Sequence, residues 1–409
     1  MIRSTGRRIL MLLENNPYPQ DGRVRLEAET LVAAGYHVTV ICPAQSDQPW
    51  QEIIDGTQIY RYPFPPEGDG LLGYMIEYGY SFLATLFLSL FVSIRAGFDV
   101  IHAHNPPDIF VFIAIIYKLL GKRFVFDHHD LSPEVYYYAR FQGGGNKIVY
   151  QILVWLEQLS CKLADHVIAT NESYKALQQV RSKIPADQIT IVRNGPNLTR
   201  FHPLPPIPDL TNSAGTIIGY AGEMSVQDGL DYLLWALYHL TYDLDRTDYY
   251  CILMGDGSEL ATLKQMVEQL KLEQHVCFTG YLHGDDFIRH LSSADICVVP
   301  DPSNPYNDRC TMIKIAEYMA LGKPIVAFDL PEHRYTAQNA AIYVRPNDKL
   351  EFSYAIAQLM DSPERRQTMG VYGRKRVESR LAWSHSAKNL LEAYQYLYPE
   401  PSKESRVVL

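Results

Sequence analysis

Six short apolar runs, each trailed by a helical pattern, occur before residue 195, and six more occur after residue 215. The first set is RILMLL, HVTVIC, DVIHAH, RFVFDHH, DHVIAT and ITIVRN; the second is TIIGYAG, YYCILMGDG, HVCFTGY, DICVVP, PIVAFD and AIYVRP. Strands separated by helices cannot pair through tight turns, so each set predicts a parallel sheet covered on both faces. Between the sets, FHPLPPIPDLTNSAG holds Pro203, Pro205, Pro206 and Pro208 in a polar stretch, which reads as a linker. The sequence therefore predicts α/β architecture: two doubly wound, Rossmann-like domains facing across a cleft. They span residues 1–202 and 213–380, with a linker over 203–212 and a C-terminal helix and tail over 381–409. A chain of 409 residues is too long for a single core, which agrees with two domains.

Charge narrows the function. Residues 1–200 carry 18 Lys and Arg against 19 Asp and Glu, and the remainder carries 19 against 27. Neither half has the basic excess of a nucleic-acid binder. The six cysteines are widely spaced and form no CxxC pair, so they read as reduced thiols of a cytoplasmic protein. The opening MIRSTGRRILMLLENN has only five apolar residues before Glu14, short of the roughly 7–15 of a signal-peptide core, and is read as the first strand.

In open α/β sheets, ligands bind beyond the carboxyl ends of the strands. The first strand leads to Gly22 at the start of a helix. His102 and His104 alternate at the end of DVIHAH, and RFVFDHHDLSPE delivers Asp127, His128, His129 and Asp130. Three readings are open: a metal site using His102, His104, a later His and Asp130; imidazoles tied to backbone at the sheet edge; and a catalytic or sugar-binding His129 whose tautomer a neighbouring carboxylate fixes. In the rear half, Gly222, Gly229, Gly255 and Gly257 sit at strand-to-helix turns, where a backbone can approach a phosphate. In DPSNPYNDRCTMIKIAEYMALGKPIVAFD, a helix from Met312 to Leu321 puts Lys314 and Glu317 on one face near its start. Asp243, Leu244 and Asp245 form a DxD in a polar loop between a helix and a strand, a poor place for a metal.

Residues 78–94 are 17 uncharged residues, short of the roughly 20 of a membrane span. They read either as a core helix or as an interfacial helix that meets a lipid-linked acceptor. Tyr136, Tyr137 and Tyr138 before Gly143, Gly144 and Gly145 read as an aromatic acceptor lid or as simple packing.

With these residues in view, the chain resembles the retaining nucleotide-sugar glycosyltransferases of family four, which have the two-domain GT-B fold. The matching stretches are DGRVRLEAETLVAAGYHVTVIC, DVIHAHNPPD, FDHHDLSPE, IVRNGPNLTRFHP, MGDGSEL, FTGY and AEYMALGKPIVA, in order over residues 8–398. The resemblance implies that a nucleotide-sugar donor and a saccharide or lipid-linked acceptor are the partners, with no metal or other cofactor. The cysteines and the uncharged run over 78–94 add the expectation of a cytoplasmic protein, peripheral at the inner face of the membrane. The resemblance implies that His129 is catalytic, that Asn194 and Gly195 lie on the cleft and acceptor side, and that Glu317 holds the ribose; the strand-end reading adds Asp130 to the catalytic group and Gly22 and His104 to the cleft and acceptor side. Gly222, Gly255, Tyr281 and Leu282 fall at the nucleotide, and the helix over 383–398 crosses back to the front domain.

Three positions depart from the family pattern. The first of its paired glutamates falls on Arg309, and its phosphate-binding Arg and Lys fall on Glu223 and Asp228. The diphosphate is accordingly assigned to Arg309, Lys314 and the amides of Cys310, Thr311 and Met312. Two alternatives stay open: a nucleotide-sugar epimerase of the same fold, and a catalytically silent subunit supporting a partner enzyme.

Overall fold

The structure, a computed structural model, describes residues 6–45, 47–65, 70–208, 210 and 215–398, with no side-chain detail at 70–72 and 74. It divides into two compact units. The first comprises the chain up to Val135, Asn146–Arg193 and the part from Ser386 onward; the second comprises Tyr136–Gly145 and Asn194–His385.

The first unit is built on eight strands: β1 (Arg8–Leu12), β2 (His37–Pro43), β3 (Gln51–Ile54), β4 (Thr57–Tyr62), β5 (Val100–His104), β6 (Arg123–His128), β7 (His166–Ala169) and β8 (Ile189–Ile191). Their order is β3-β4-β2-β1-β5-β6-β7-β8, all parallel except the β3–β4 pair. That edge hairpin, turning at Asp55 and Gly56, is an addition to the six strands expected; β3 is short and partly exposed, and β4, though largely buried, is interrupted by Gln58 and Arg61, so neither has a long apolar run. The main helices are α1 (Gly22–Ala33), α2 (Gly70–Arg95), α3 (Val111–Leu119), α4 (Lys147–Leu163) and α5 (Glu172–Arg181). Asp21 caps α1 by accepting from the Val24 amide at 2.9 Å, and Gly35, at φ 88°, follows its end.

The second unit has six parallel strands: β9 (Thr216–Ala221), β10 (Tyr249–Met254), β11 (Val276–Gly280), β12 (Ile296–Val299), β13 (Ile325–Phe328) and β14 (Ala341–Val344), in the order β11-β10-β9-β12-β13-β14. These are the six strands expected. Around them lie α6 (Leu230–Tyr238), α7 (Leu260–Gln269), α8 (Gly284–Ser293), α9 (Ile313–Ala320), α10 (Pro331–Ala337), α11 (Lys349–Met360) and α12 (Pro363–Arg376). The final helix, α13 (Trp383–Leu397), joins the first unit from Ser386. There Asn389 donates to the Ile191 carbonyl at 2.8 Å, and the buried Tyr394 packs beside Tyr36.

The proline-rich stretch expected as a linker is docked in the part described. Its prolines hold it extended, and the amides of Leu204 and Ile207 donate to Ser292 Oγ and Ser293 Oγ at 3.2 and 2.9 Å. The compact division falls at Arg193 instead of residue 202. Residues 209 and 211–212 of that stretch and the tail 399–409 lie outside the described residues.

Strand order reverses between β1 and β5 in the first sheet and between β9 and β12 in the second. A cavity for ligand opens where neighbouring connections leave on opposite faces, beyond the carboxyl ends of those strands. The residues following β5, β6, β9 and β12 are therefore the ones that matter.

Candidate active site

In the first unit, β5 and β6 are in register with His104 opposite Asp127. Asp127 is fully buried and takes Arg23 bidentately, Nε on Oδ2 and Nη2 on Oδ1, each at 2.8 Å. Burial pushes the Asp127 carboxyl up, but Arg23 and the contacts from His104 and His129 outweigh it and hold it well below the usual carboxylate range. The same Arg23 donates to the Val192 carbonyl at 3.0 Å, tying α1 to the chain just after β8.

His129 follows β6. Its amide donates to Asn105 Oδ1 at 2.8 Å and the Asp130 amide donates to the same oxygen at 3.1 Å, while Asn105 Nδ2 donates to the Asp130 carbonyl at 2.7 Å. One buried amide thus fixes the backbone of both residues. The His129 ring keeps 13% of its side-chain surface exposed, with Nδ1 3.6 Å from Asp127 Oδ2. His129 and Asp130 are both half-buried at a strand end. Asn105, Arg23 and Glu27 were absent from the sequence expectation; the NPP run after HAH is the one local hint of Asn105.

Two neighbours differ from expectation. His104 was placed on the acceptor side but is fully buried, its Nδ1 3.1 Å from Asp127 Oδ2 and its ring stacked 4.3 Å from that of His102. It cannot touch an acceptor; it acts through Asp127. His128 points to the opposite face of β6, where its Nε2 lies 3.4 Å from Glu157, which also takes Arg181 at 3.0 Å. Burial alone would lower the His128 pKa, but Glu157 outweighs it, so His128 belongs to a buried ionic network. Gly22 opens α1 and is exposed.

In the second unit, Lys314, on the first turn of α9, reaches the reversal point of the sheet. Its Nζ lies 3.0 Å from Asp228 Oδ1, 3.1 Å from Asp301 Oδ1 and 3.1 Å from Tyr220 Oη. Burial pushes both carboxyls up and Lys314 only partly offsets this; the ammonium itself, penalised by burial, is held charged by Asp301, Tyr220 and Asp228. Three hydrogens on three acceptors leave none for a phosphate. The expected role of Lys314 as a free phosphate cation is corrected: it neutralises the two aspartates.

The amide of Cys310 is also spent, donating to the Asn307 carbonyl at 3.1 Å, and Cys310 is buried. Thr311 and Met312 precede α9 and are half-buried, with Thr311 Oγ1 3.2 Å from Glu332. Arg309 is half-buried and donates to the Pro305 carbonyl. Glu317, one turn along α9, is half-buried, and its carboxyl is pushed up to about 7 by burial, with Lys314 pulling it down. Glu223 is exposed and accepts from Ser225 Oγ.

The glycines are used for backbone packing. At Gly255, φ is 145° and a Cβ would lie 1.9 Å from the Gly222 carbonyl oxygen, so these two expected nucleotide contacts first serve each other. At Gly195 a Cβ would lie 2.1 Å from the Leu381 carbonyl oxygen, so this glycine lets two chain segments of the second unit cross; Asn194 beside it is half-buried. Tyr281, 69% exposed, and Leu282 follow β11 on the same edge of strand ends.

Comparison with known proteins agrees with this architecture. Residues 23–200 match the family described as Glycosyltransferase Family 4, and residues 215–362 match glycosyl transferases group 1. Among curated relatives, alpha-maltose-1-phosphate synthase of Mycolicibacterium smegmatis is 27% identical over 298 residues, 68% of this chain and 74% of its own length. Among solved structures, sucrose-phosphate synthase of Thermosynechococcus elongatus superposes with a TM-score of 0.79 at 20% identity, covering 97% of this chain and 100% of that one. Anabaena HepE in complex with UDP-glucose has a TM-score of 0.69 at 17% identity, covering 95% and 99%. With one family match on each Rossmann-like unit and structural likeness along almost the whole chain, the protein belongs to the family-four glycosyltransferases of GT-B fold.

Proposed function

We propose that this glycosyltransferase moves a hexose from a nucleoside-diphosphate sugar, of the UDP class, to an acceptor hydroxyl with retention of configuration, in polysaccharide or glycolipid assembly. The observation that carries the reading is His129, half-buried after β6, with its backbone clamped by Asn105 and its ring beside Asp127. UDP-glucose in the Anabaena relative supports the donor class. In the step proposed, the acceptor oxygen bonds to the anomeric carbon on the face from which the diphosphate leaves, and the acceptor proton passes to the leaving phosphate. Catalysis then rests on positioning and charge stabilisation, with no metal in the transfer step. Arg309 and the amides near Thr311 and Met312 take the diphosphate, and Glu317 takes the ribose. Incubation with a panel of nucleotide sugars and acceptors, with the product anomer read by NMR, tests the proposal; an inverted anomer, or interconversion of free donor without acceptor, would overturn it.

Glu317 adds a pH test. Its folded pKa of about 7 lies above its ordinary 4.5, so the native state holds the proton more tightly. That contribution to stability is fully present below 4.5 and is lost as pH rises to about 7. The melting temperature of wild type relative to Glu317→Gln should fall across that window and level above it. UDP affinity should rise through pH 7 as the carboxylate ionises to accept ribose hydroxyls, a rise absent from Glu317→Gln.

We also propose a lipid-linked acceptor and a cytoplasmic protein held peripherally at the inner membrane face. Helix α2 has inverted polarity: Ser81, Thr85 and Ser89 are fully buried, while Phe87 and Ile94 are 67% and 88% exposed and Met75 and Leu83 also face out. Ser81 donates to Glu14 and Ser89 shares a hydrogen bond with Tyr117, each at 3.0 Å. A core helix would bury its apolar side, so the interfacial reading is favoured. Leu71 and Leu72 in the same stretch have side chains outside the described residues. The free thiols of all six cysteines suit a reducing compartment. In flotation with anionic vesicles, wild type should rise with the lipid, and the pair Phe87→Glu with Ile94→Glu should remain below; equal behaviour of the two would count against this.

A further inference from the structure

We propose that Glu27, His102 and His104 form a divalent-cation site of the zinc class inside the first unit, with Asp127 and Tyr394 orienting the two imidazoles. Glu27 lies on α1; His102 and His104 alternate on β5 and share a face. All three side chains are fully buried.

His102 has one nitrogen hydrogen-bonded and one open, and His104 has one nitrogen beside a carboxylate and one open. His102 Nδ1 lies 3.0 Å from Tyr394 Oη, and His104 Nδ1 lies 3.1 Å from Asp127 Oδ2. The adjacent acceptor-only carboxylate favours the His104 proton on Nδ1, which leaves a lone pair on Nε2. The Nε2 atoms of both rings have no hydrogen-bond partner, and neither has Glu27 Oε2. These open atoms converge: Glu27 Oε2 is 3.8 Å from His102 Nε2 and 4.0 Å from His104 Nε2, too far for direct hydrogen bonds. With one atom of Asp127, the ligand atoms of the group lie within 4.8 Å of one another.

Three lone pairs facing one point suit a cation better than a water, which has only two hydrogens to give. A tetrahedral zinc-class ion, with bonds of about 2.0 Å, sets its ligands roughly 3.4 Å apart, so Glu27 Oε2 need close on each imidazole by about half an ångström. Imidazoles that donate from the far nitrogen to a carboxylate or hydroxyl are also the usual outer shell of such ions. Arg23 satisfies Asp127 and lies 3.1 Å from Glu27 Oε1, which leaves Oε2 as the ligand oxygen. The site would pin α1 to β5 and, through Tyr394, α13 to β5. It differs from the metal set suggested by the sequence, because His129 and Asp130 take no part.

Cobalt(II) titrated into the chelator-treated full chain tests this. One equivalent with the visible absorption of a four-coordinate ion, displaced by zinc, is expected, and hundredfold excess zinc over its dissociation constant should raise the melting temperature by about 5–10 °C. His102→Gln and Glu27→Gln should abolish the spectrum. Tyr394→Phe, which keeps the packed ring, should weaken binding by roughly 10–100-fold. A folded wild type with no cobalt spectrum and no zinc-dependent shift, or a spectrum unchanged in His102→Gln, would overturn the proposal.

Discussion

Lys314→Ala is expected to lower the melting temperature by about 10 °C, the largest stability effect we anticipate from a single polar substitution in this chain. The ammonium lies within 3.1 Å of both Asp228 and Asp301, and the three side chains are 10%, 12% and 1% exposed. Removing one partner of a buried pair strands the remaining charge and costs about 3–5 kcal/mol. For a unit of this size each kcal/mol shifts the midpoint by roughly 2–4 °C. Were Lys314 a free phosphate ligand, its loss would instead weaken UDP binding and leave the fold intact. Thermal melts of Lys314→Ala and of the triple variant with Asp228→Asn and Asp301→Asn separate the cases. The triple variant should recover much of the lost stability, since neutral amides need no counter-charge. An unchanged melting temperature in Lys314→Ala would show that the ion cluster does not hold the turn after β9.

This reversal marks the limit of what the sequence discloses. Which residues end each strand is legible, because apolar runs bounded by Gly, Pro and Asn fix the strands, and the parallel alternation fixes which ends lie together. Thus His129, Lys314 and Glu317 could be named. What those residues touch is set by contacts distant in sequence. Asp301, 13 residues from Lys314, and Asp228, 86 residues away, converge only once β9 and β12 are adjacent. Arg23 meets Asp127 across 104 residues. Residue type alone suggested that Asp228 lacked a cation and that Lys314 was free, when each supplies the other. For α2 the uncharged run was legible, but the burial of its serines was not, since it depends on Glu14 and Tyr117.

His129→Ala should reduce transfer at least a hundredfold while changing the melting temperature little. The ring is the only half-buried imidazole in the group formed with His102 and His104, and it alone can meet a substrate. Removing it leaves the local frame intact. The 129 amide still donates to Asn105, and Asp127 keeps its two bonds from Arg23. At 3.6 Å from Asp127, His129 Nδ1 is beyond ordinary hydrogen-bond length, so little native-state energy is lost with it. Loss of a positioned polar group at a reacting centre typically costs 10²–10⁴ in rate, by about 3–5 kcal/mol of barrier. Asn105→Ala provides the contrast: it frees the backbone of residues 129–130, and should lower both rate and stability because it removes the three hydrogen bonds that hold that backbone in a buried site. Single-turnover transfer and thermal melts of both variants distinguish a group acting on substrate from one that only supports the loop. Wild-type transfer by a folded His129→Ala protein would remove His129 from the mechanism.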